Sequence, residues 1–283
     1  MKKEIKRITS ASSHRAGEHM MYQPIPSQET EQIDPFILLH HHGPHEFKPY
    51  NQGLPFGPHP HRGFETLTLV YEGDIEHADS QGFSSVIHPG GIQWMTAARG
   101  IVHSENISAA MREHGGKMEI IQLWMNLPGR LKMTAPNYQG LENEQIPRVL
   151  SDDQKIDTQL ISGTFKGVKG AAKSITDLEI FSIYLKEGGE ETYSFAAERS
   201  VFLYALNGEV MVNDKLVYQR QMVEFKPGNT DIQVSAKTDA RVLLCSGEPL
   251  NEPMVAQGPF VMNTTTEIMQ AMRDYQMGKM GVM

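Results

Sequence analysis

The chain has 283 residues, 39% of them hydrophobic, and 26 basic against 34 acidic side chains give a formal net charge of −8. That length suits two domains of ordinary size. The acidic balance, with no dense basic tract, argues against direct nucleic-acid binding, which relies on Lys and Arg displacing phosphate counterions. No apolar run approaches the ~20 residues that span a bilayer, and no apolar segment follows the basic start Met1-Lys2-Lys3, so neither a membrane role nor a secretory signal is expected.

A single cysteine, Cys245, excludes an internal disulfide and a cysteine-rich zinc site, and a cytoplasmic setting is the default. In chain order, His40, His41, His42 and His45 cluster beside Pro44 and read as a solvated loop or pocket rim. His59-Pro60-His61 follows, then a strand at residues 64–72 (FETLTLVYE) that ends in the turn signal Gly73-Asp74. Gly82 and Pro89-Gly90-Gly91 punctuate the next stretch. His103-Ser104-Glu105 comes next, and residues 118–126 (MEIIQLWMN) suit a strand buried on both faces. His77 and His88 flank turns and read as ordinary strand-end residues. Pro128 through Asn137 reads as a linker, which divides the chain into domains at 1–131 and 140–283.

The second half repeats the order of the first. Residues 201–207 run into Gly208, and residues 223–226 into Pro227-Gly228-Asn229. Aligning Gly73 with Gly208 brings Pro89 close to Pro227. Short strands with regular turns predict an all-β sandwich or barrel, and a repeat this long implies a duplicated domain. Near the end, Thr264 and Glu267 form a capping-box pattern. Ile268, Met269, Met272 and Tyr275 have helical spacing, and Gly278 can stop a helix that docks on a barrel.

Histidine is confined to one half. All twelve lie between His14 and His114. In a strand, residues i and i+2 share a face. Two adjacent strands would therefore bring His59, His61, His103 and Glu105 around one point, a ligand set for a divalent transition metal with positions left open. In the alignment, Ser194 and Ala196 stand opposite His59 and His61, so the second domain should lack the site.

Gly53, His59, His61 and Glu65 fit G-x5-H-x-H-x3-E, and Pro89-Gly90-Gly91 with Gly100 and His103 supplies P-x-G and G-x2-H. This resembles the paired signature of the cupin superfamily, in which the carboxylate ligand would be Glu65. The spacing to His103 is longer than usual, however, and a second carboxylate stands at Glu105. Those departures, with residues 59–66 (HPHRGFET), 93–97 (QWMTA), 99–105 (RGIVHSE), 122–128 (QLWMNLP) and 258–264 (GPFVMNT), are similar to the pirin family over nearly the whole chain. The resemblance implies a bicupin: two antiparallel β-barrels and a C-terminal helix, with a metal only in the first barrel. Its ligands would be His59, His61, His103 and Glu105. Pirins commonly carry an Asp-Glu-Phe stretch where this chain has His40-His41-His42, so no role carries over there.

Three neutral imidazoles and a carboxylate around a divalent ion leave a net charge of +1, which favours an anionic oxygen ligand. Glu105 would serve as ligand and as general base. The resemblance implies Fe(II), with Ni, Mn, Co, Cu or Zn accepted by the same ligands. It also implies a quercetin 2,3-dioxygenase activity on flavonol-like substrates with dioxygen. A second expectation from the family is a redox-sensitive regulator that binds a transcription factor or a metabolic enzyme. A third is a non-redox cupin.

Overall fold

A computed structural model describes residues 1–283. The chain is dominated by antiparallel sheet and forms two compact units. One comprises Met1–Ser12, Tyr22–Pro35 and Glu144–Pro249. The other comprises Ser13–Met21, Phe36–Asn143 and Leu250–Met283. No helix is long and apolar enough to cross a membrane.

This division differs from a contiguous split at 131 and 140. Strand β1 (Ile5–Ser10) pairs antiparallel with Gln221–Phe225, Ile5 opposite Phe225 and Ser10 opposite Gln221. An edge strand needs only a partner with open backbone groups, and here that partner lies far along the chain. The chain then contributes β2 (Ser12–Ala16) and passes along β3 (His19–Ile25) from one unit to the other.

The histidine-bearing unit continues with β4 (Phe36–Phe47), β5 (His59–His61), β6 (Phe64–Glu72), β7 (Ile75–Asp79), β8 (Ser84–Ile87), β9 (Ile92–Thr96) and β10 (Ile101–Asn106). Helix α1 (Ala109–His114), β11 (Gly116–Asn126) and β12 (Asn137–Leu141) complete it before the terminal segment. A seven-stranded sheet, ordered β12-β9-β6-β11-β4-β3-β2, faces a four-stranded sheet, β5-β10-β7-β8. The expected barrel is thus a flattened cupin-type sandwich. Because β12 pairs with β9, Asn137, the end of the expected linker, already belongs to this sheet.

The histidine-free unit repeats the plan with a seven-stranded and a four-stranded sheet. Tyr193, Val210, Ile232 and Val234 from the smaller sheet meet Phe181, Leu203, Val223 and Leu244 from the larger. Aromatic and aliphatic side chains fill its interior, where the histidine-bearing unit keeps imidazoles. Cys245 is buried there, and burial pushes its thiol well up, as for an inert apolar side chain.

Helix α2 (Thr265–Gln276) starts as the capping box predicts. The Thr264 side chain accepts from the Glu267 N–H, and the Glu267 carboxylate accepts from the Thr264 N–H. Its packing face differs from the expected one: Met269 is 52% exposed and Tyr275 40%, while Ile268, Ala271 and Asp274 are buried. Thr264→Ala should destabilise the fold by about 1 kcal/mol in urea titration, because the cap satisfies an otherwise orphaned helix N–H.

Candidate metal centre

Strand pairing does what the two i, i+2 motifs require. β10 lies between β5 and β7, with His103 directly opposite His59 and Glu105 opposite His77. The imidazole nitrogens of His59, His61 and His103 lie within 4.8 Å of one another. Their ring centroids are 4.4 to 4.9 Å apart.

The Nδ1 atom of each ring is engaged. His59 Nδ1 donates to the Gly57 carbonyl at 2.7 Å, and His61 Nδ1 to the Pro259 carbonyl at 3.3 Å. His103 Nδ1 lies 3.5 Å from His77 Nδ1, and His77 Nε2 lies 3.2 Å from Asp79 Oδ2. Pinning one ring nitrogen fixes the tautomer and turns the other lone pair toward a metal. The orphan shows where: His103 Nε2 is buried without a protein partner. Burial, with His59 beside it, lowers His61 to about 3, and burial with the neighbouring imidazoles lowers His103 well below the ordinary range. Both rings are therefore neutral at pH 7, the form that ligates.

Glu105 reaches the same cavity from β10, although the tight group comprises only the three imidazoles. Its Oε1 accepts from Thr68 Oγ1 at 3.0 Å and its Oε2 from Gln122 Nε2 at 2.7 Å. Gln122 is held in turn, since its Oε1 accepts from Trp124 Nε1 at 3.1 Å. Each carboxylate oxygen keeps a second lone pair for another partner.

Glu65 lies elsewhere. It is one residue out of phase with Thr66 and Thr68, which pair with Trp124 and Gln122 across β6 and β11. Alternation turns it to the other face of the sheet, where it is fully buried and accepts from Thr96 Oγ1 at 2.6 Å. It does not face solvent.

The backbone after His61 is fixed tightly. Gly63 has φ +92°, and a Cβ there would sit 1.9 Å from the Val261 carbonyl oxygen, so only glycine fits. Lys132, which the sequence reading placed in a linker, is buried. Its Nζ donates to the carbonyls of Gly63 (2.7 Å) and Val261 (3.0 Å) and to Asn126 Oδ1 (2.5 Å), and burial lowers it to about 8. Arg62 turns away from the site: Nε donates to the Arg99 carbonyl at 2.6 Å and Nη1 to Asp274 Oδ2 at 2.9 Å.

A cavity of about 290 Å³ opens beside the imidazoles. Phe56, Trp124, Met21 and Pro259 give it apolar walls, and His40, His42, Gln122 and Glu105 line it with polar groups. His40 and His42 stand on strand β4 and not on a solvated loop. His41 points to the opposite face, where its Nε2 is 3.0 Å from Glu119 Oε1. His77 is buried behind His103 and stacks on Tyr138 at 4.1 Å, so it is no simple strand-end residue.

Known proteins match over the same span. The pirin family model matches residues 17–125, and the model of the pirin C-terminal cupin domain matches residues 180–281. A Pseudomonas aeruginosa protein, named provisionally as a quercetin 2,3-dioxygenase, is 38% identical over 99% of this chain and 98% of that one. A pirin-like protein of Caulobacter vibrioides is 41% identical over 89% of each chain. The crystal structure of a quercetin 2,3-dioxygenase from Acinetobacter baumannii superposes with a TM-score of 0.94 at 34% identity, covering all of both chains. With its two cupin sandwiches and a histidine cluster in one of them, the chain belongs to the pirin family.

Proposed function

We propose that the chain is a metal-dependent dioxygenase that opens flavonols such as quercetin. In this reading His59, His61, His103 and Glu105 hold one divalent transition metal, Fe(II). The observation that carries it is the convergence of three tautomer-fixed imidazoles, one with an orphaned Nε2, at the wall of an aromatic-lined cavity. Neutral imidazoles and a carboxylate suit such an ion, and they fit here without displacing any hydrogen bond of the three rings. The match to an Acinetobacter baumannii quercetin 2,3-dioxygenase supports the substrate class.

Bound Fe(II) would supply Lewis acidity toward an enolate oxygen and one-electron chemistry toward dioxygen. The rest is the work of the chain. Phe56 and Trp124 offer flat apolar surface for an aromatic ligand. Glu105 accepts the proton of the flavonol hydroxyl at its carboxylate, oriented by Thr68 and Gln122. Burial of His61 and His103 keeps bulk water from their ligand atoms, while His59 stands at the half-buried mouth of the site.

Aerobic quercetin with Fe(II)-loaded protein should lose its flavonol absorbance. Glu105→Gln should keep the metal and lower kcat by at least about 100-fold, the usual contribution of a positioned base. If no first-row metal gives turnover, the dioxygenase reading fails.

A further inference from the structure

The cavity wall contributed by β4 carries an imidazole with its own support. His42 is 3% exposed and lines the cavity, on the sheet that faces the strands bearing His59 and His103. Behind it, His19 Nε2 lies 2.8 Å from His42 Nδ1. His19 is itself buried, and its Nδ1 has no protein partner.

The orphan decides where the protons sit. A neutral imidazole carries one N–H. If His42 Nδ1 donated to His19 Nε2, the His19 proton would be on Nδ1, a buried N–H with no acceptor. In the other arrangement His19 Nε2–H donates to His42 Nδ1, and only a lone pair on His19 Nδ1 goes unused. Buried orphan N–H groups are the rarer and costlier defect. Burial first, then the neighbouring imidazoles, lower His42 to about 2 and His19 to about 4, so both rings are neutral at pH 7.

We propose that His42 presents a fixed Nε2–H donor to the cavity, oriented by His19 as a positioning residue, and that it binds an acceptor oxygen of a planar aromatic substrate. This deepens the flavonol reading and rests on it for the identity of the aromatic. The substrate would be held at one end by the metal ligands and at another by a neutral donor. Specificity then favours ligands with a carbonyl, phenol or phenolate oxygen away from the chelating group. A site built to hydrogen-bond such an oxygen rejects analogues that lack it.

Two measurements on zinc-loaded protein kept free of dioxygen, the co-substrate that turnover needs, test this. In protein labelled with 15N-histidine, the ring whose signals vanish in His42→Gln should show a protonated Nε2 and a bare Nδ1; the reverse pattern overturns the proposal. Quercetin binding, read by quenching of tryptophan fluorescence, should weaken about tenfold in His42→Phe, one hydrogen bond's worth, with zinc stoichiometry unchanged. His42→Gln keeps a donor and should stay within about threefold of the parent, and His19→Phe should fall between the two variants. Parental affinity in His42→Phe, or loss of its zinc, overturns the proposal. If the parent protein shows the expected tautomer but does not bind quercetin, the donor is supported and the flavonol reading fails.

Discussion

A His103→Ala protein will bind Fe(II) or Zn(II) at least about 100-fold more weakly than the parent, since losing even a supporting group behind a ligand costs 10–100-fold. Of the three rings, His103 has the buried Nε2 without a partner. Nothing in the fold uses that lone pair, so the imidazole's burial is otherwise unrewarded. The alanine leaves Asp79 and His77 paired with each other behind the site, so the fold should survive. Glu105→Ala should also weaken binding strongly. Glu65→Ala should leave metal content near the parental value, because Glu65 lies on the other face of its strand and bonds Thr96. Metal analysis after dialysis against a chelator reads all three variants. Equal metal loss in Glu65→Ala and Glu105→Ala would overturn the assignment of Glu105 as the carboxylate ligand.

The features legible in the sequence were those encoded locally. The period of 2 in a strand places His59 with His61 and His103 with Glu105, and short antiparallel neighbours bring the two pairs together. The capping box at Thr264 is likewise contained within four residues. What stayed hidden depends on distant pairing. β1 completes the sheet of the histidine-free unit, beside Gln221–Phe225. The His42–His19 and His103–His77–Asp79 contacts join side chains 23 and 26 residues apart, with no motif to mark them. Lys132 reads as linker because its neighbours are Pro, Gly and polar residues, yet three acceptors from other segments make its burial tolerable.

The buried face of α2 was misjudged for the same reason, and the residue responsible yields a large expected effect. Asp274 takes a place that apolar spacing would assign elsewhere, because its carboxylate meets Arg62 Nη1 at 2.9 Å. Arg62 is 3% exposed and Asp274 7%, so removing one partner strands the other charge. Asp274→Ala should therefore destabilise the fold by about 3–5 kcal/mol, measured by urea unfolding. An Arg62→Met/Asp274→Leu double variant should recover most of that loss, since apolar residues of similar volume often replace a buried pair without penalty. If the double variant is as unstable as the single, stranded charge is not the cause. The pair also sets a pH limit. Burial pushes the Asp274 carboxyl up, but hydrogen bonds from Arg62, Lys279 and Gln270 outweigh it and hold it at about 2. Its folded value lies below its unfolded one, so the stabilisation is complete above the ordinary carboxylate range and is lost as pH falls through about 2. The parent should lose stability steeply on acidification from pH 4 toward 2, and the double variant should lose less over the same interval. Because Arg62 directly follows His61, the same acidification should loosen the backbone that presents the His61 imidazole.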